Sequence, residues 1–149
     1  YPDANIIQTH RDPIVCMASA ASLLRALYLV RSNKAFDTLQ FENIVLGQAT
    51  AERLIKVMNQ RESKIIDEKA IFDSRYQDLL TDPVSVIERI YNYFGIDLSL
   101  EMRAKIPDYL RKNPQYRDGE HLYPVGKALI KDRKLFSRYQ KEYDVPNEV

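Results

Sequence analysis

The chain has 149 residues, 45% of them hydrophobic and 29% charged, with a net charge of +1. That length fits one domain with a sizeable core, and the near-neutral balance excludes a broad surface for nucleic acid, so any anion site is local and built from a few placed residues. The lone cysteine, Cys16, excludes an internal disulfide and a cysteine metal cluster, and no apolar run approaches the roughly 18 residues of a membrane span.

The chain opens at Tyr1 and enters a short apolar segment, residues 5–9 with Ile6 and Ile7, which reads as a buried strand. Asp12 and Pro13 then mark a helix start, because Asp can cap and Pro suits the first helical position. Apolar and small residues dominate from Ile14 to Val30, and the band from Ala18 to Ser22 would let another backbone or a ligand come close. Residues 31–46 show no regular pattern. Ala51, Leu54, Ile55 and Met58 recur at helical spacing and predict an amphipathic helix over 50–62.

A second short strand is expected at 70–72, running to Tyr76. Asp82 and Pro83 repeat the helix start, with Val84, Ile87, Tyr91 and Phe94 as the apolar face and Gly95 as the stop. Ser99 is placed to cap a further helix to about Lys112. Pro114, Gly119, Pro124 and Gly126 make 113–127 a loop, and a last helix is expected over 131–143, with Leu135, Phe136, Tyr139 and Tyr143 for packing. Few strands alternating with many helices give an α/β layer with parallel strands. Two strands are too few for a stable sheet by themselves, so a partner chain or an upstream half is expected.

In an open α/β sheet, ligands bind beyond the carboxyl ends of the strands, where His10 and Arg11 fall. Arginine offers a planar fork of donors suited to phosphate or carboxylate. Ser19 follows eight positions later, about two turns into the helix, where it and Arg11 could converge on one phosphate. The helix N-terminus favours an anion and Asp12 partly opposes it. The same spacing also fits an Arg11 that pairs with Asp12 or another acid and a Ser19 that only packs.

The stretch YPDANIIQTHRDPIVCMASAASLL resembles the 3′-phosphate-binding segment of sulfotransferases that use 3′-phosphoadenosine 5′-phosphosulfate (PAPS), in the branch with a Thr-His-Arg-Asp-Pro stretch. The resemblance implies that Arg11 and Ser19 hold the 3′-phosphate. FDSRYQDLLTDPVSVIERIYNYFGIDL is similar to the family's Tyr-Glu-Asp segment with its following Asp-Pro helix, which puts Tyr76 near the adenine, with Gln77 in place of the usual acid. NPQYRDGEHLYPVG resembles the late loop over the nucleotide, with Arg117, Gly119, His121 and Tyr123 as the equivalents. Arg117 fits a solvated loop equally well.

The implied fold is the P-loop-NTPase-like sulfotransferase fold, of which 1–149 would form a single, partial domain. The upstream Gly-Ser/Thr loop for the 5′-phosphosulfate and a catalytic base are not visible, and the chain has four glycines. His10 and His121 are read as structural or nucleotide-side residues. The implied reaction moves a sulfuryl group from PAPS to a hydroxyl or amine on a small molecule or glycan, with 3′-phosphoadenosine 5′-phosphate left on the protein, no metal required, and residues 31–58 helping to shape the acceptor pocket. Two other readings compete: a non-catalytic sulfotransferase-like scaffold subunit, and a fragment of a nucleotide or nucleoside kinase. The lone cysteine and lack of a targeting segment lean towards an intracellular setting.

Overall fold

The computed structural model describes residues 3–34, 47–114, 125 and 127–149, with the side chains of 128 and 129 left aside. They fall into two compact units.

The first unit, residues 1–10 and 66–122, holds the sheet. Strands β1 (Ile6–His10) and β2 (Ile71–Arg75) pair in parallel, with Ile6 opposite Ile71 and His10 opposite Arg75. A short 3₁₀ turn, Glu68–Ala70, leads into β2, capped by Asp67, which accepts from the Lys69 amide. Helix α3 (Tyr76–Thr81) follows β2 directly. Helix α4 (Pro83–Tyr93) starts as the sequence predicts: Asp82 accepts from the Ser85 amide at 3.0 Å and Pro83 takes the first position. It ends at Gly95, whose φ of +65° suits glycine, with the Ile96 amide turning back to the Tyr91 carbonyl at 2.9 Å. Ser99 caps α5 (Leu100–Lys112) by accepting from the Met102 amide.

Two expectations change in this unit. Ile6 and Ile7 are 43% and 51% exposed, so β1 is not a buried strand. In a two-stranded sheet each strand has a single hydrogen-bonded neighbour, and the described residues leave both isoleucines partly open. On α4, Val86 is the fully buried residue, while Val84, Ile87, Tyr91 and Phe94 are half-buried. The helix rolls slightly off the stripe that its sequence suggests.

The second unit, residues 11–65 and 123–149, is helical. It comprises α1 (Pro13–Arg31), α2 (Gly47–Glu62), α6 (Lys127–Lys131), a 3₁₀ segment Asp132–Phe136 and α7 (Ser137–Glu142). One core cluster joins Ile14, Met17, Ala51 and Phe136; a second joins Met58, Tyr139 and Val145, and Leu54 packs on both. Gly47 is a close-approach glycine: a Cβ there would collide with the Asp132 side chain.

The single last helix expected over 131–143 is replaced by α6, the 3₁₀ segment and α7. At three residues per turn, the 3₁₀ segment re-phases the chain, so Phe136 enters the first cluster and Tyr139 the second. Helices α2 and α7 end on left-handed residues, Lys64 (φ 56°) and Asp144 (φ 51°). The Ile65 and Val145 amides return to the Gln60 and Gln140 carbonyls, closing Schellman turns.

Helix α1 also corrects the reading of apolar runs. By length and composition it is long and apolar enough to cross a membrane. Ser19, Ser22 and Arg25 interrupt its apolar run without making it polar on average. Its first turns, through Pro13, Ile14, Val15, Met17 and Ala18, are buried in the helical unit, whereas Leu23, Leu27 and Val30 are exposed.

Candidate functional site

Two buried polar residues, His10 and Asp12, flank Arg11 in the chain. His10, at the strand end, is 1% exposed, and its Nε2 lies 2.7 Å from Asp73 Oδ1 on the neighbouring strand. This ties the end of β1 to the middle of β2. Asp12 is fully buried and caps α1 by accepting from the Ile14 amide at 3.0 Å.

Asp12 has a further partner that the sequence did not disclose. Arg133, from the 3₁₀ segment, donates to both Asp12 oxygens, with 3.2 Å from Nη1 and from Nη2 to Oδ2. The negative charge expected to oppose an anion at the start of α1 is therefore matched by a guanidinium. Arg133 also donates to Asn147 Oδ1 and, at 2.6 Å, to the Val149 carbonyl.

Arg11 pairs with an acid, but not with Asp12. Its Nε donates to both oxygens of Glu148, at 2.9 and 3.1 Å, and its Nη2 donates at 2.8 Å. This is the bidentate geometry in which a guanidinium grips a planar anion. The two side chains keep 28% and 25% exposure, so the pair stands at the solvent boundary. The Glu148 amide donates to Asp12 at 2.8 Å, which fixes the backbone that carries the carboxylate.

Cys16 reports on the same neighbourhood. Partial burial raises its thiol pKa above the ordinary value; the Arg11 guanidinium pulls it down, and the Glu148 and Asp12 carboxylates push it up. Arg11 and Glu148 therefore act on the face of α1 that carries Cys16. Ser19, three residues on, lies one turn further along that face and is half-buried.

In the sheet unit, Tyr76 is the first residue of α3, immediately beyond β2, and is half-buried. Next to it, Arg75 donates to Asp78 at 3.1 and 3.3 Å, and Arg89 donates to the same carboxylate at 3.3 Å. Partial desolvation raises the Asp78 pKa, but the bonds and charges of Arg75 and Arg89 outweigh it and hold the carboxyl below its ordinary value. Arg117, Gly119, His121 and Tyr123 lie outside the described residues, as do 35–46 of the region read as shaping the acceptor pocket.

Sequence reasoning missed Glu148 and Arg133. Each stands more than 100 positions from its partner, and no local pattern links them.

A short parallel sheet and the capped helices that follow its strands define an α/β protein. A family model described as the Sulfotransferase family matches residues 1–100, and the chain belongs to that family. Two curated relatives, each an "Omega-hydroxy-beta-dihydromenaquinone-9 sulfotransferase Stf3", come from Mycobacterium bovis and Mycobacterium tuberculosis; each is 26% identical over 98% of this chain. The chain spans 38% of the length of these relatives. The crystal structure of sulfotransferase STF9 from Mycobacterium avium shares the fold with a TM-score of 0.69 at 22% identity, over 99% of this chain and 38% of that one.

Proposed function

We propose that this chain supplies the 3′-phosphate and adenine side of a sulfotransferase site whose donor is PAPS. Family membership sets the class of reaction. The observation that carries the reading is the Arg11 fork, held at the end of a parallel strand and closed on a planar oxyanion, the Glu148 carboxylate. A carboxylate held through Nε and Nη2 stands in for two oxygens of a phosphate. Arg133 supports the reading by matching the Asp12 charge beside the fork.

In this reading Arg11 binds the 3′-phosphate and Ser19 orients it from the same face of α1. Tyr76 meets the adenine, and Arg117, Gly119, His121 and Tyr123 close over the nucleotide. PAPS supplies the sulfuryl group, and a hydroxyl or amine on a small molecule or glycan accepts it. The two Stf3 relatives, named for an omega-hydroxy substrate, favour a hydroxyl. The residues named here bind and orient; none is assigned as the base that deprotonates the acceptor. Positioning of this kind makes a large contribution to a group transfer between two bound partners.

The test is calorimetric titration of the full-length protein with 3′-phosphoadenosine 5′-phosphate, with Arg11→Ala beside it. Binding by the native protein and its loss in a folded Arg11→Ala variant is the expected result. The Arg11–Glu148 pair also fits a second reading, a non-catalytic scaffold subunit in which Arg11 is structural. In that case the folded native protein binds no nucleotide, and Arg11→Ala only lowers the melting temperature.

A further inference from the structure

We infer that segment 143–149 is an internal competitor for the anion grip of Arg11: Glu148 occupies the fork until a nucleotide phosphate displaces it. The inference rests on the reading of Arg11 as a phosphate ligand and adds a regulatory element to that site.

The segment is built to deliver its carboxylate. Asp144 takes the left-handed conformation that ends α7, and the Schellman turn reverses the chain. Asp tolerates that conformation better than most residues. Val145 is then buried against Met58 and Tyr139, which anchors the reversal in the core. Gln140 donates to the Val145 carbonyl and to Asn147 Oδ1, and Arg133 holds Asn147 and the Val149 carbonyl. The Glu148 amide on Asp12 completes the register. Glu148 then meets the fork through three short contacts.

The two halves of this arrangement differ in strength. Val145 and the Asp12 contact lie in buried surroundings, whereas the Arg11–Glu148 pair is partly open to water. An ion pair at the solvent boundary is weak, and a phosphate carries more charge than a carboxylate. A phosphate entering the fork therefore wins the guanidinium, but must first release Glu148. The latch lowers affinity without abolishing it and keeps the fork shaped for a planar anion while it waits.

The experiment compares native protein, Glu148→Gln and Arg11→Ala, each full-length and checked for fold by circular dichroism. All are titrated with 3′-phosphoadenosine 5′-phosphate. The side-chain carboxyl resonance of Glu148 in the native protein is followed by NMR with and without saturating nucleotide. Glu148→Gln is expected to bind on the order of two- to fivefold tighter than the native protein, the scale set by losing one weak competing ion pair. Saturating nucleotide is expected to shift the Glu148 carboxyl resonance as the side chain leaves the guanidinium. Equal or weaker affinity for Glu148→Gln, with binding still lost in Arg11→Ala, overturns the latch and leaves the phosphate reading standing. An unchanged Glu148 carboxyl resonance at saturation does the same. No binding by native protein or Glu148→Gln overturns the phosphate reading and the latch with it.

Discussion

The Asp12–Arg133 pair is the strongest test of how the candidate site is supported. Asp12 has no exposed surface, and Arg133 keeps 20%. Asp12 accepts from two amides, Ile14 at 3.0 Å and Glu148 at 2.8 Å, besides the guanidinium. Arg133→Met leaves a buried carboxylate with its amide donors but without a counter-charge. Breaking a buried pair from one side costs about 3–5 kcal/mol. The two remaining amide bonds put the expected loss near the low end, about 3 kcal/mol. Asp12→Asn removes the charge at its source and keeps an oxygen for the cap, so it is expected to cost less, about 1–2 kcal/mol. The double variant should be more stable than the sum of the singles predicts, by at least ~1 kcal/mol, because the stranded charge is gone. Urea unfolding followed by circular dichroism measures all three. An Arg133→Met loss below ~1 kcal/mol, or simple additivity in the double variant, would refute the claim that Arg133 neutralises Asp12.

Two further outcomes follow from the shifted acids. Asp78 has a folded pKa below its ordinary 3.8, so its contribution to stability is present above that value and is lost as pH falls through the lower folded one. Melting curves between about pH 5 and pH 2 should show a shallower acid loss in Asp78→Asn than in the native protein, and identical slopes would contradict this. Cys16 has a raised thiol pKa, so its alkylation by iodoacetamide, which needs the thiolate, should reach half its maximal rate above pH 9.0. Glu148→Gln should move that midpoint down and Arg11→Ala should move it up; the reverse order would show that these groups do not face Cys16.

Much of the fold was legible because its punctuation is local. The Asp12-Pro13 and Asp82-Pro83 starts, the Ser99 cap and the Gly95 stop all act within a few residues, and each is found where its chemistry predicts. The helix over 50–62 begins slightly earlier, at Gly47, and ends at Glu62 as expected. The strand at Ile71 begins after a 3₁₀ turn that takes up Ala70, and Tyr76 starts the next helix rather than ending the strand.

The sequence by itself determined the alternation of strands and capped helices, because capping, helical spacing and the left-handed freedom of glycine are properties of neighbouring residues. It also placed Arg11 at a strand end and Ser19 two turns along a helix, since covalent order and helical rise fix those positions. Tertiary structure alone decided what Arg11 grips and what balances Asp12. Glu148 is 137 positions from Arg11, and Arg133 is 121 positions from Asp12. The break in the last helix had the same origin: Asp132 meets Gly47, and Phe136 and Tyr139 serve different clusters. An ion pair or a packing contact between distant residues depends on where the folded backbone brings them, and neither residue type nor local spacing encodes that proximity.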